Sequence, residues 1–405
     1  MKNGFFWPDT DTVDMRPTGK RYLTCDNCGL YKKCHSPRMP ATGKGKKGIL
    51  IIAEAPGETE DIRGVQLVGK DGQYLRNVMC DLGYDLDRDC RKINAINCRP
   101  PKNRPPKNYE IDTCRRYVWK EIRTFQPKVI ILLGGTSLLS FLSHRIHKDV
   151  GGISKWRGFT IPDREVGAWV CPVLHPSYLT RETTPASAET IFRKDLRRAL
   201  NMVHEPLPVN LIKEKFINII TSRDEVTAVL NRLNDGEWPR FAMDYETTGL
   251  KPFAKGHEIY SVSVCPSRKF TASFPFKFVD KEKWKRLMRN REIGKIASNF
   301  KFEQVWNREI EGYNILGWDW DTMLGAHVWD NRRGITSIKF LAYLHFGIID
   351  YSSPVGKYLK SNDEKNANSF NTIKDAPLRP LLLYGGYDSL LEFMESKVQK
   401  GEILQ

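Results

Sequence analysis

Unbroken apolar runs alternate with amphipathic stretches along this chain. GILIIAEAPG (48–57) opens with such a run and passes into a loop; KINAINC (92–98), KVIILLGG (128–135) and AWVCPVLHPS (168–177) repeat the pattern. A strand covered on both faces shows no polar alternation, so these runs predict buried strands. Between them, GQYLRNVMCDLG (72–83), TCRRYVWKEIRTFQ (113–126) and AETIFRKDLRRALNMV (188–203) carry apolar residues at helical spacing. The rhythm resumes further on, with FINIITS (216–222) and PRFAMDYE (239–246) as strands and RDEVTAVLNRLND (223–235) as a helix. Strands separated by helices predict an α/β fold with a mainly parallel sheet. In such sheets ligands gather at the carboxyl ends of the strands, where AEAPG, CRPP and HPSY fall. The segment HEPLPVN (204–210) has two prolines and no periodicity. It reads as a linker between a domain at 1–203 and a second at 211–405.

Length and charge sharpen this picture. At about 150 residues per domain, 405 residues imply two to three domains. With 40% apolar and 28% charged residues, a collagen, a coiled-coil rod or a largely disordered chain is excluded. No apolar run approaches the roughly 18 residues of a membrane helix. The opening MKNGFFWPDTDTVD lacks a secretory pattern, so a cytoplasmic protein is expected. The net charge is +16, and twelve of those charges belong to residues 1–205. A basic first half suits a polyanionic partner, most plausibly nucleic acid.

The nine cysteines, in a chain without an export signal, point to thiols or metal ligands rather than disulfides. Cys25 and Cys28 form a CxxC, Cys98 follows a predicted strand, and Cys114 lies early in a predicted helix. This set suits zinc or an iron–sulfur cluster, with Cys34 as a competing ligand. After the CxxC come AEAPGETED (53–61), GVQLVG (64–69), INAINCRPPKNRPP (93–106) and LHPSYLTR (174–181). In that order they resemble the family 4 uracil-DNA glycosylases over about residues 20–200. The resemblance implies a parallel sheet between helices and a [4Fe–4S] cluster on Cys25, Cys28, Cys98 and Cys114. It implies that Asn94 reads the uracil edge and that His175 stabilises the departing uracilate. Glu54 then matches the glutamate of the first motif, with Ala55 beside the base, and Glu60 the glutamate that excludes the thymine methyl. Two departures stand out. Ala53 replaces the usual glycine, and Leu67 stands where the family has a phenylalanine that stacks on uracil. Base–aromatic stacking is worth about 1–3 kcal/mol, so weak excision is expected, with Leu67→Phe raising it. The alternative is a domain kept for DNA binding, a processivity module for a polymerase acting in trans.

The second half concentrates carboxylates. Asp244 and Glu246 are two apart on a predicted strand and so share a face. Asn299 and Glu303 follow in ASNFKFE, Asp321 precedes a helix, and Tyr384 and Asp388 in YGGYD share a helix face. Converging carboxylates call for divalent cations, and oxygen ligands without histidine favour Mg²⁺ or Mn²⁺. The series DxE, NxxxE, YxxxD resembles the DEDDy 3′–5′ exonucleases, above all the proofreading domain of family A DNA polymerases, from about residue 210 onward. The resemblance implies a ribonuclease-H-like fold with metal on Asp244, Glu246, Glu303 and Asp388. Tyr384 would orient the attacking water and Asp321 would be structural. The usual third carboxylate is aspartate, and here it is Glu303. Seventeen residues follow Asp388, so no polymerase activity is expected in this chain. Together the two resemblances imply a DNA-processing enzyme acting on uracil-containing strands and primer ends. It would belong to a phage or bacterial system, in the cytoplasm of a bacterial cell or infected host, with a separate DNA polymerase as a possible partner and no membrane association.

Overall fold

The runs ILIIA and VIILL become strands buried at every position, as their lack of alternation demands. The computed structural model describes residues 24–146, 149–352, 354–363 and 365–402. Residues up to Pro208, with Gly347–Ile349, form one compact unit; Val209–Phe346 and Asp350 onward form the other.

The first unit has five strands: β1 Ile49–Ala53, β2 Cys90–Asn94, β3 Val129–Leu133, β4 Ile161–Asp163 and β5 Ala168–Val173. Their order is β2-β1-β3-β5-β4, parallel except for the edge strand β4. The register pairs Ala53 with Asn94 and Leu133 with Val173, so the carboxyl ends are level. Ile49, Ile51 and Ala53 pack against Leu75, Val78 and Met79 of helix Lys70–Asp81 and Phe192 and Leu196 of helix Ser187–Asn201. The segment read as a linker begins against this unit. Trp169 Nε1 donates to the Glu205 carbonyl at 3.0 Å, and Leu207 packs on the core.

The second unit has six strands: β6 Ile217–Ile219, β7 Arg240–Thr247, β8 Ile259–Ser267, β9 Phe270–Pro275, β10 Gly294–Ala297 and β11 Trp318–Asp321. Their order is β11-β10-β7-β8-β9-β6. β8 runs antiparallel to both β7 and β9, whereas β10 and β11 run parallel to β7. Five strands around a central β7, with one antiparallel neighbour, make the ribonuclease-H-like arrangement; β6 extends it. The expectation of a mainly parallel sheet holds in this half too: β6, β7, β9, β10 and β11 run one way, and only β8 is reversed. The apolar residues of β8 and β9 alternate with serine and threonine, and the two strands meet in the short turn at Arg268 and Lys269, so antiparallel pairing closes locally. Helix Leu378–Gln399 is buried along most of its length against this sheet. Two small residues seat it closely: Ser263 Oγ donates to the Gly385 carbonyl at 2.7 Å, and a Cβ on Gly386 would lie 2.3 Å from Ile217 Cγ2.

Candidate active sites

In the second unit, β7 presents Asp244 and Glu246, and helix Leu378–Gln399 presents Asp388. One carboxylate oxygen from each lies within 4.8 Å of the others, the only such acidic, histidine or cysteine trio among the described residues. Burial and then mutual repulsion raise the pKa of Asp244 and Glu246, with Asp388 the first charge felt by Asp244. Glu303, on helix Lys301–Glu311, stands outside the trio; it is buried, and its pKa is raised by burial and by Asp244. Glu392, one turn beyond Asp388, joins this acidic floor. Its Oε1 accepts from Ser298 N at 3.1 Å, and burial followed by the charge of Asp244 raises its pKa. Asp244 Oδ2, Glu303 Oε2 and Glu392 Oε2 are all buried without a hydrogen-bond partner. Buried carboxylate oxygens are costly unless paired or metal-bound, so this floor fits hard divalent cations.

Asp321 is different. It accepts from Asn299 N and Phe300 N at 3.0 Å each, and from Met323 N at 2.9 Å and Leu324 N at 3.2 Å. It holds a turn in which Asn299 adopts a positive φ of 71° and caps the helix Thr322–Trp329. Tyr384 is 5% exposed, and its hydroxyl accepts from Lys339 Nζ at 2.6 Å. Tyr351 donates to Asp388 Oδ1 and stacks on Tyr384 with ring centroids 5.9 Å apart. Sequence reasoning missed Lys339, Tyr351 and Glu392. Glu392 was findable, since it continues the Tyr384–Asp388 stripe at i+4. Lys339 lies 45 residues from its partner, and no local spacing announces it.

In the first unit, the level strand ends bring Glu54, Asn94, Gly134 and His175 to one edge of the sheet. His175 follows β5, and Gly134 leaves room for it: a Cβ there would lie 2.9 Å from His175 Cβ. His175 Nδ1 accepts from Ser177 N at 3.1 Å. A nitrogen that accepts from a backbone N–H carries no proton, so neutral His175 keeps its proton on Nε2. Burial lowers the His175 pKa, against the pull of Glu54 and Asp71, and favours this neutral form. Glu54 Oε2 accepts from Thr136 Oγ1 at 2.6 Å. Glu60 Oε1 accepts from Val68 N at 3.0 Å and Gly69 N at 2.7 Å, clamping the loop that carries Leu67. Leu67 is 7% exposed, at a φ of 54°, and packs into the core with Ala53 and Leu75. Ala55 is half-buried and packs beside Ile96, Cys98 and Cys114. Asn94 donates Nδ2 to Oε1 of the fully buried Gln66, whose Nε2 donates to the Pro40 carbonyl at 3.2 Å. Gln66 was not singled out from the sequence.

The four cysteines line one pocket with Tyr31, Arg38, Asn97, Thr113 and Tyr117. Cys25 and Cys28 sit in a helical turn, Cys98 beyond β2, and Cys114 in helix Asn108–Phe125. Burial opposes ionisation of Cys25, but hydrogen bonds from Tyr117 and Arg116 outweigh it and lower its pKa. Burial raises Cys28, Cys98 to about 11 and Cys114 to about 12. Cys98 Sγ accepts from Arg38 N at 3.2 Å. No three of these sulfurs lie within 4.8 Å of one another. A single tetrahedral zinc, at about 2.3 Å from each sulfur, needs them closer, so the set fits a larger cluster better. Cys34 touches the same apolar cluster.

Residues 40–199 match the family described as the uracil DNA glycosylase superfamily, and residues 217–391 the family described as 3′–5′ exonuclease. A type-4 uracil-DNA glycosylase of Pyrobaculum aerophilum is 32% identical over 189 residues, covering 45% of this chain and 92% of that protein. Another from Saccharolobus solfataricus is 34% identical over 155 residues, covering 38% and 71%. A DNA polymerase of Bacillus phage SP01 is 24% identical over 375 residues, covering 83% of this chain but only 38% of the polymerase. Among solved structures, a Trypanosoma brucei RNase D in complex with RNA is similar at 15% identity and a TM-score of 0.37, covering 47% of this chain and 64% of that one. By these matches the chain belongs to the uracil DNA glycosylase superfamily through its type-4-like first half, and its second half is a 3′–5′ exonuclease domain of the family A DNA polymerase kind.

Proposed function

We propose that the chain processes DNA with two chemistries: metal-dependent hydrolysis from the 3′ end and excision of uracil. The convergence of Asp244, Glu246 and Asp388, floored by unpartnered carboxylate oxygens, carries the first. These three acids would hold the cations, with Glu303 and Glu392 beneath them. Bound Mg²⁺ or Mn²⁺ supplies an activated water and charge stabilisation at the leaving oxygen. The hydroxyl of Tyr384 orients that water, one helical turn from Asp388. Replacing Asp244 and Glu246 together with Ala should abolish degradation and leave uracil excision intact.

In the first unit, Asn94 meets the edge of the flipped base and neutral His175 donates Nε2–H to the departing uracilate oxygen. Cys25, Cys28, Cys98 and Cys114 would hold a [4Fe–4S] cluster, whose contribution is to tie the N-terminal turn to β2 and helix Asn108–Phe125. Protein purified without oxygen should then contain iron; stoichiometric zinc and no iron would overturn that assignment.

A second reading has its own support. Leu67 packs into the core, which favours weak excision and a DNA-binding role for a polymerase acting in trans. Such a system suits the cytoplasm of a bacterial or phage-infected cell. No described helix is long and apolar enough to cross a membrane. One experiment separates the readings: a 5′-labelled uracil-containing single strand, incubated with Mg²⁺ or with EDTA. A descending ladder with Mg²⁺ and abasic sites in both conditions support the two-enzyme reading. Binding without abasic sites supports the module. Immediate release of the label would sink the 3′ polarity.

A further inference from the structure

Lys339 stands in the first turn of helix Ile338–Phe346. Its Nζ lies 2.6 Å from the Tyr384 hydroxyl, 4.7 Å from the Tyr384 ring centroid and 6.0 Å from that of Tyr351. Tyr384 is buried, and Tyr351 stacks on it while donating to Asp388. An ammonium group has only donors. The Tyr384 oxygen is therefore the acceptor in this pair, and its own proton points elsewhere. When ionised, Asp388, Asp244 and Glu246 only accept, and the charge of Lys339 acts on Asp244 and Glu246.

We propose that Lys339 is a positioning residue for 3′ hydrolysis. By occupying a lone pair of the Tyr384 oxygen, it fixes that hydroxyl as a donor toward an accepting oxygen, the attacking water or a non-bridging phosphate oxygen. A phenol held by an ammonium donates more strongly, because the charge polarises the O–H bond. The stacked Tyr351 keeps the Tyr384 ring from rotating away, so the pair works as a braced unit. This inference rests on the exonuclease reading, which wild-type degradation of a 3′ end tests separately.

The discriminating measurement is a double-mutant cycle on the full chain with Lys339→Met, Tyr384→Phe and the pair. A charge-assisted hydrogen bond lost in the transition state corresponds to a drop in kcat of roughly tenfold to a hundredfold. Lys339→Met should show that drop with KM and Mn²⁺ affinity, read by electron paramagnetic resonance, within about twofold. On the Tyr384→Phe background it should cost nothing further. Lys339→Arg, which also only donates, should recover part of the rate. A rise in KM at constant kcat would make Lys339 a phosphate-binding group and overturn the proposal. So would a full additional loss on the Tyr384→Phe background, or weakened Mn²⁺ binding, which would reduce Lys339 to a counter-ion of the acids. If Lys339→Met does not fold, Lys339→Gln replaces it in the same cycle. Wild-type protein that degrades no 3′ end overturns the exonuclease reading and this inference with it.

Discussion

Gln66 decides how Asn94 can be used. The Pro40 carbonyl only accepts, so the Gln66 amide nitrogen faces it and the Gln66 oxygen faces Asn94. Asn94 must then offer one amide proton to Gln66, which leaves its oxygen and its second proton side by side. That pair complements the N–H and carbonyl of a uracil edge. Gln66→Met, close in volume but without polar atoms, should leave a buried donor unpaired and cost about 1–3 kcal/mol in urea unfolding. It should also slow excision, and unchanged values on both counts would make the pair incidental. The packing around Leu67 revises what the sequence alone suggests for Leu67→Phe. The larger ring must enter a filled core, so a loss of roughly 1–3 kcal/mol is expected with no gain in excision. Because burial keeps His175 neutral, excision should be flat from about pH 6 to 8; a fall in rate as His175 would lose a proton over that range would indicate a charged imidazole instead. Motif residues were legible because their chemistry travels with fixed spacing, as in Asp244–Glu246 and Tyr384–Asp388. Gln66 and Lys339 were not, because each acts through a partner far along the chain.

Among elements, helix Leu378–Gln399 depends on how closely it sits on its sheet. Gly386 makes that approach possible against Ile217. Gly386→Ala should lift the helix, destabilise by about 1–3 kcal/mol and slow 3′ degradation, since Tyr384 and Asp388 ride on it. Adding Ile217→Ala should return part of both losses; a double variant no better than the single one would show that helix placement is not at issue. The apolar runs of β1, β3 and β5 announced themselves, because burial on both faces leaves no polar residue to interrupt them. The strands β8 and β9 did not. Ser261, Ser263, Thr271 and Ser273 dilute their hydrophobic signal, yet all four are buried. Small polar residues there pack against the sheet and helix without the bulk that marks a core position.

For the whole molecule, the acids of the second unit couple stability to pH and metal. The pKa values of Asp244, Glu246, Glu303 and Glu392 stand above their unfolded values. The folded state therefore binds more protons than the unfolded one, and stability falls as pH rises beyond the unfolded carboxylate range near about 4. Metal-free protein should unfold at a lower temperature at about pH 8 than at about pH 6. Mg²⁺ at a hundred times its Kd should add about 2.7 kcal/mol, raising the midpoint of a domain of this size by roughly 5–10 °C. Calorimetry reads both effects, and a midpoint indifferent to Mg²⁺ would count against a cation site at the trio.

Asp321 would mislead anyone mapping the metal site by loss of function alone. Its carboxylate serves four backbone donors in two segments, so any substitution there loosens the Asn299 turn and the start of helix Thr322–Trp329 together. An Asp321→Ala enzyme would register in a screen as dead, indistinguishable from one that has lost a ligand. Titrating Mn²⁺ into that variant separates a broken scaffold from a missing coordinating oxygen, because only the second lowers the number of ions bound.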